Sequence, residues 1–399
     1  MTTHFPRIYL AIDNCFASKR WTRPREWMEV IRGIGLSHVE ASADTEADPL
    51  YCGEEYLDGW IEEVREAQEQ TGVKVANLYS GHGTYATLGL AHTDERVRER
   101  MVEHWIKPMI RTAARLGAGL GFYFHAFPDS VLQDPRAFEM QRSELYRLLA
   151  RIAAYAAGQG GTLLSLEQMY TPHQIPWTIA GTRKLLASVL AAQSSPLYVT
   201  IDTGHQTGQS GFVRPDAAAI RTRARALASH RDTPEIWFGP KSAVEFVTQA
   251  VSGGEKLSEE ELLFVTSTMD RYPYLFADPA DGDTDAWLES LGCYSPILHL
   301  QQVVGNHSSH LPFTESMNKK GRVEGMHLLR ALARSYRREI ESGFPERVEA
   351  IYLTLEIFSS TAEKNDEILS KLEESVAYWR RFVPEDGMTL DTLVDATDR

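Results

Sequence analysis

Four short apolar runs in this chain each stop on a side chain that can ionise. They are residues 163–166 before Glu167, 198–201 before Asp202, 297–298 before His299 and 352–355 before Glu356. Short apolar runs bounded by polar residues are typical of strands buried in a parallel sheet. Four such strand ends converge only if the strands are parallel and adjacent. The runs therefore predict one sheet edge that carries three carboxylates and one imidazole.

The rest of the chain alternates strand and helix patterns in the way that a barrel requires. Six strand-then-helix units with short glycine-marked turns precede residue 203, which is the pattern of parallel strands joined by crossover helices. Neither a GxGxxG turn nor a GxxxxGK[ST] loop is present, so nucleotide-binding folds lose their main support. We predict an α/β fold, a (β/α)₈ TIM barrel over residues 1–383, followed by a C-terminal tail at 384–399 that covers the barrel or frays.

A long insertion interrupts this regularity after the sixth strand. Residues 206–285 contain several helical stretches where the earlier units have a short connection. A segment of this length at the catalytic end of a barrel is typical of a lid or specificity element. An oligomerisation arm is the alternative, and the sequence leaves both open.

Charge and cysteine content exclude several classes of partner. The net charge of −14 argues against a nucleic-acid surface and against binding to anionic membranes. No apolar stretch approaches the roughly 18 residues of a membrane span, and no signal peptide pattern precedes the first strand. The three cysteines are scattered, without a CxxC pair. We expect a soluble cytoplasmic protein that acts on a small molecule.

The four strand ends supply only residues that can bind a metal. Three carboxylates and one imidazole form a hard, oxygen-rich site, and they predict that Glu167, Asp202, His299 and Glu356 bind one divalent cation. Mn²⁺ is the first expectation, with Mg²⁺ and Co²⁺ as alternatives. Zn²⁺ also fits, because it binds histidine and carboxylate well.

These ends, together with the D-x-x-H motif Asp202-Thr203-Gly204-His205, resemble the xylose isomerase-like superfamily of TIM barrels. The superfamily includes ketose 3-epimerases, rhamnose isomerase, inosose dehydratases and endonucleases of the endonuclease IV type. The resemblance covers nearly the whole chain except the insertion and the tail. It implies the fold, the metal site and a homo-oligomer, either a dimer or a tetramer, and it leaves the substrate open.

For the sugar-isomerising branch, the resemblance implies roles for individual residues. His205 would hydrogen-bond a substrate oxygen. Glu167 and Glu356 would lie on opposite faces of the bound sugar, where one removes a proton from the carbon next to the carbonyl and the other returns one. The metal would bind the carbonyl and an adjacent hydroxyl and stabilise the enediolate.

Further substrate contacts are expected around the same mouth of the barrel. Glu40, His82 and His125 follow strands two, three and four, and the resemblance implies that such positions contact sugar hydroxyls. The chain departs from ketose epimerases after Glu167, where it lacks their second glutamate, and His173 or Gln174 is a candidate substitute.

A second departure follows His299. Here Gln301 and Gln302, then Asn306 and His307, occupy a region where relatives carry an acidic residue and an arginine. His307 is the substrate contact that we predict there. The pocket is therefore predicted to have different side chains from those of the ketose epimerases. The substrate of the tagatose epimerases cannot be assigned to this chain on the resemblance alone.

The leading hypothesis is a metal-dependent isomerase or epimerase of a small sugar or sugar derivative. A decarboxylase or lyase acting on a keto-sugar acid would use the same enediolate chemistry. The cationic run at 319–322 could recognise a carboxylate or phosphate, or be a solvated turn. An endonuclease IV-type enzyme would need more histidine ligands and a basic groove, and a non-enzymatic sugar-binding protein would need no metal.

Overall fold

Eight parallel strands close into a barrel in the computed structural model, which describes residues 4–42, 46–81, 87–229, 235–252 and 256–395. Neighbours in sequence are neighbours in the barrel, and β1 closes it by pairing with both β2 and β8. The predicted (β/α)₈ TIM barrel is confirmed. Its strands are β1 Arg7–Asp13, β2 His38–Ser42, β3 Lys74–Ser80, β4 Gly119–Phe122, β5 Leu164–Glu167, β6 Tyr198–Asp202, β7 Ile297–Leu300 and β8 Ala350–Leu355.

The α-helices lie outside the strands, and one π-helical stretch, Val102–Ile106, joins the helices Glu95–Met101 and Lys107–Leu116. In chain order they are α1 Pro24–Gly33, α2 Glu54–Thr71, α3 Glu95–Met101, α4 Lys107–Leu116, α5 Asp129–Leu132, α6 Pro135–Ala157, α7 Ile179–Gln193, α8 Gln206–Gln209, α9 Ala217–Ala228, α10 Lys241–Ala250, α11 Glu259–Asp270, α12 Thr284–Leu291, α13 Glu315–Asn318, α14 Gly325–Arg337, α15 Asn365–Arg380 and α16 Leu390–Asp395. No helix within these described ranges combines the length and apolar character that a membrane crossing needs.

Local sequence signals explain where the elements begin and end. Gly72 ends α2 in the left-handed conformation, with φ of 77°, which glycine adopts without steric cost. Ser258 and Glu261 form a capping box that starts α11. Every residue of β5, β6 and β7 is buried, because helices cover one face of each strand and the barrel interior the other.

The segment between β6 and α12 packs against the units that follow β4. Tyr274 stacks on Phe138 of α6 with ring centroids 3.8 Å apart, and its hydroxyl donates to the Leu132 carbonyl at 2.9 Å. Lys241, at the start of α10, forms an ion pair with Asp129. These contacts attach the insertion to the loop that follows β4. Its function as a lid or an oligomerisation arm remains a prediction.

The C-terminal tail packs on the opposite end of the barrel from the strand ends. A two-residue strand, β9 Met388–Thr389, pairs antiparallel with the start of β1. Asp386 accepts a hydrogen bond from the Leu10 amide at 2.9 Å and forms an ion pair with Arg380 at 2.8 Å. The described part of the tail, through residue 395, is therefore anchored to the barrel.

Candidate metal and active site

The four predicted metal ligands meet at the C-terminal edge of β5 to β8. Glu167, Asp202, His299 and Glu356 are all buried, and each offers one ligand atom within 4.8 Å of the others. Asp202 is paired in register with His299 across β6 and β7. The sequence placed His299 after its strand, whereas β7 continues to Leu300. The set fits a divalent cation, because three carboxylate oxygens are hard donors and the imidazole nitrogen is a donor that binds divalent first-row metals.

Two more buried acidic residues, Asp13 and Glu40, lie close to His299. Burial raises the pKa of Asp13 well above its usual range, and the nearby Glu40 and Glu356 raise it further. Burial lowers the pKa of His299, but the carboxylates of Glu356, Glu40 and Glu167 outweigh burial and raise it well above its ordinary value. Grouping buried carboxylates is costly unless a positive charge compensates them. This charge imbalance favours binding of a cation.

Glu40 fixes the orientation of the His299 ring. His299 Nε2 lies 2.7 Å from Glu40 Oε2, and Asn77 donates to the other oxygen of Glu40 at 2.5 Å. His299 Nδ1 faces the opposite way, 3.0 Å from Glu167 Oε1 and 3.3 Å from Glu356 Oε2. A carboxylate behind a ligand imidazole sets its tautomer and raises its basicity. The sequence predicted that Glu40 contacts substrate, but the structure places it behind the imidazole.

Replacing Glu40 with glutamine is expected to weaken Mn²⁺ binding about 10- to 100-fold, which is the usual effect of losing a carboxylate behind a ligand histidine. The dissociation constant for Mn²⁺ can be measured by titration of metal-free protein. Glu29→Gln is the matched control, because Glu29 is more than half exposed and pairs with Arg25 on α1. Equal Mn²⁺ affinity in wild type and Glu40→Gln would contradict this role.

Asp202 is held by several hydrogen-bond donors. Its Oδ1 accepts from the amides of Gly204 at 2.6 Å and His205 at 3.0 Å. The Gln301 amide donates to both carboxylate oxygens, at 2.9 and 3.0 Å. Burial raises the pKa of Asp202, but the imidazoles of His205 and His310 outweigh it and lower the pKa to about 2. Asp202 is therefore ionised and fixed in position.

A cavity of about 480 Å³ opens above this cluster. His205 lines it with its Nδ1 held by the Gln168 carbonyl at 2.6 Å, so its Nε2 lies on the opposite edge of the ring. This volume falls within the range of small-molecule sites, about 300–1,000 Å³. The lining residues are Tyr79, Tyr170, His205, Thr207, Gly208, Asn306, His307, Ser308, His310, Glu356 and Phe358.

Comparison with known proteins agrees with this architecture. Residues 28–230 match the model of a family described as xylose isomerase-like TIM barrels. The chain belongs to that family. Among curated proteins, this xylose isomerase-like barrel is 26% identical over 321 residues to D-erythrulose 1-phosphate 3-epimerase of Brucella abortus (strain 2308), which covers 78% of this chain and 76% of that protein.

Solved structures share the fold of this xylose isomerase-like barrel. A candidate xylose isomerase from Rhodospirillum rubrum superposes with a TM-score of 0.66 at 17% identity, covering 94% of this chain and 99% of the other. D-Allulose 3-epimerase from Methylomonas sp. gives a TM-score of 0.51 at 14% identity, covering 100% and 98%. At these identities the likeness shows the fold alone.

Of the other predicted substrate contacts, His307 lines the cavity of this xylose isomerase-like barrel, and His125 and His173 lie outside its lining. His125 is buried, its Nε2 hydrogen-bonds the Ile175 carbonyl, and burial lowers its pKa to about 4. His173 is exposed, and its Nδ1 lies 2.8 Å from the Phe127 carbonyl. His82 lies outside the described residues.

Sequence reasoning missed two residues that touch the cluster. Tyr79, the residue before the last one of β3, donates a hydrogen bond to Glu167. The sequence prediction took its candidate, His82, from the residues after this strand and so passed over Tyr79. His310 Nδ1 lies 3.3 Å from Glu356 Oε2, and its ring stacks on Phe358 at 4.0 Å. His310 lies in an irregular loop, so no periodic pattern points to it.

Proposed function

We propose that this protein is a divalent-metal-dependent isomerase or epimerase of a small sugar or sugar derivative. The observation that carries the proposal is the pairing of two buried glutamates with a metal-competent cluster beneath a small-molecule cavity. Glu167 and Glu356 both lie within 3.3 Å of His299 Nδ1, and Glu356 also lines the cavity. Two carboxylates beside one cation site are what proton transfer next to a carbonyl requires.

The four cluster residues would hold the cation, and two of them would also transfer protons. Glu167, Asp202, His299 and Glu356 would hold the cation, which would polarise a ketose carbonyl and stabilise the negative charge that develops when the neighbouring proton leaves. One of the two glutamates takes that proton. The other returns a proton to the opposite face of the same carbon, or to the neighbouring carbon.

Other side chains orient these bases and the sugar. The Tyr79 hydroxyl donates to Glu167 and fixes one carboxylate oxygen. His205 is held at Nδ1 by the Gln168 carbonyl, so its Nε2 is available to hydrogen-bond a sugar oxygen. The Glu167 and Asp202 carboxylates are buried, which keeps bulk water away from them.

The Brucella abortus relative suggests which reaction to test first. Its name describes epimerisation at C3 of D-erythrulose 1-phosphate. We therefore expect this protein, supplied with Mn²⁺ in D₂O, to incorporate deuterium at C3 of that ketose or of another member of a short ketose panel. ¹H NMR follows the loss of the C3 proton signal, and chelator-treated protein is the control.

The same experiment separates the alternatives. Deuterium at the carbon next to the carbonyl, lost on chelation, supports the isomerase or epimerase. Release of a carboxyl carbon from a keto-sugar acid, without deuterium exchange into any ketose, would contradict the proposal and favour a decarboxylase.

A further inference from the structure

The cavity wall away from the metal cluster is rich in hydrogen-bond donors and poor in acid. Among the described lining residues, Glu356 is the one carboxylate, and it belongs to the cluster. The lining also holds three imidazoles, two phenols, two aliphatic hydroxyls and one amide. This composition contrasts with a net charge of −14 for the whole chain. A donor-rich wall in an acidic protein suits an anionic group on the ligand.

Arg322 orients one of these donors. Its Nη2 donates to Asn306 Oδ1 at 2.9 Å. A guanidinium has no acceptor, so this contact assigns the amide oxygen of Asn306 to Arg322 and leaves Nδ2 to donate elsewhere. Arg322, which is exposed, therefore brings a positive charge into contact with one lining residue, Asn306. Within the cationic run at 319–322, Lys319 instead pairs with Glu315, and its side chain is 69% exposed.

The loop that carries Asn306 and His307, residues 304–310, is anchored at its base. The Gln302 amide donates to the Leu311 carbonyl at 2.8 Å, and the Arg322 amide donates to the Val303 carbonyl at 3.1 Å. The His310 amide donates to Gln301 Oε1 at 2.8 Å. A preformed loop loses less conformational entropy when it binds a ligand. The backbone that carries these donors is therefore already in place.

His310 contacts Glu356, the one carboxylate among the described residues of the cavity lining. Its Nδ1 faces Glu356 at 3.3 Å, and its ring is stacked on Phe358, so its Nε2 points away from the carboxylate. His310 therefore adds an imidazole edge to the cavity wall beside Glu356.

We infer that the 304–310 loop binds the phosphate of a sugar phosphate substrate. Asn306 and His307 donate to the phosphate oxygens, and Arg322 is a positioning residue that acts through Asn306. The inference rests on the proposed function and specifies its substrate class. The Brucella abortus relative, whose name contains a sugar phosphate, independently supports this class.

Asn306→Asp tests the inference with little change in shape. The new carboxylate still accepts from Arg322 but repels phosphate. We expect the ratio of kcat/KM for D-erythrulose 1-phosphate to kcat/KM for D-erythrulose to fall at least about tenfold, mainly through KM for the phosphate ester. Lys319→Gln is the control, because it lowers the net charge by the same unit on an exposed side chain of the same connection. Its ratio should match that of the wild type.

Calorimetric titration of Mn²⁺-loaded protein with inorganic phosphate and with D-erythronate separates this inference from the proposed function. Phosphate binding that Asn306→Asp weakens, in a protein that turns over no ketose, supports the inference and removes the proposed function. Equal turnover of both sugars, unaffected in ratio by Asn306→Asp, overturns the inference and leaves the proposed function. Binding of erythronate alone that depends on Asn306 overturns phosphate in favour of a carboxylate.

Discussion

Glu356→Gln is expected to slow deuterium exchange at the reacting carbon by about 10²- to 10⁴-fold, the usual contribution of a positioned general base. Glutamine has nearly the same shape as glutamate, but it cannot accept a proton at neutral pH. Glu356 is the cluster carboxylate that lines the cavity, so it is the base that a bound sugar meets directly. The rate is measured by ¹H NMR in D₂O with D-erythrulose 1-phosphate at saturating Mn²⁺.

Metal content must be measured on the same Glu356→Gln sample, because the residue is also a proposed ligand. A variant that retains Mn²⁺ and loses exchange identifies proton transfer as the lost function. Glu315→Gln serves as the control, since that side chain is 80% exposed on α13. Exchange by Glu356→Gln within about threefold of the wild-type rate would refute the assignment of Glu356 as a base.

Asp202→Asn is expected to reduce bound divalent metal to background. In the wild type, the Gln301 NH₂ donates to both Asp202 oxygens. The substitution removes a buried charge and places a second NH₂ group against that of Gln301. Elemental analysis after dialysis against Mn²⁺ measures the loss. Thermal unfolding gives a second readout, because a ligand at 100 times its Kd stabilises the folded state by about 2.7 kcal/mol. Mn²⁺ should raise the Tm of the wild type and leave that of Asp202→Asn unchanged.

Asp270→Asn is the matched control for Asp202→Asn. Asp270 lies at the end of α11, where it is 64% exposed and pairs with Arg214. It is therefore outside the buried cluster at the strand ends. It should bind metal like the wild type. If Asp202→Asn also carries wild-type metal, the ligand set proposed here is wrong.

The rule that reads strands as apolar runs located the cluster because it matches the physics of a parallel barrel. Helices cover one face of each strand and the interior covers the other, so β5, β6 and β7 are buried throughout and mostly apolar until the edge where polar groups can meet. Strand ends far apart in sequence then converge because the barrel is closed. This is why the sequence alone could predict that four residues spread over nearly 190 positions lie together.

The same rule does not give the direction of a side chain, which depends on register. Glu40 is within β2 and points into the barrel, where it meets His299 instead of the cavity. His125 was expected next to a strand end, but β4 stops at Phe122, and the chain then turns His125 into the core toward the Ile175 carbonyl. Because side chains alternate between the two faces of a strand, an error of one residue changes the face to which a side chain is assigned.

The periodicity of the sequence gives no information about which loop residues contact the cluster. His310 has a positive φ of 46° and touches Glu356, but nothing in the surrounding sequence distinguishes it from other polar loop residues. Its position follows from the hydrogen bond that Gln301 makes to its backbone. Contacts of this kind depend on tertiary structure, which a local pattern does not encode.

Gln301 links Asp202 to the 304–310 loop. One amide group holds both oxygens of Asp202 and also contacts Ser308 and the His310 backbone. A loop transplanted from another barrel at residues 304–310 would therefore disturb Asp202 unless residue 301 were exchanged with it. Substitutions in the loop and at residue 301 should be strongly non-additive. Altering the proposed sugar specificity of this barrel would therefore require changing the loop and residue 301 together.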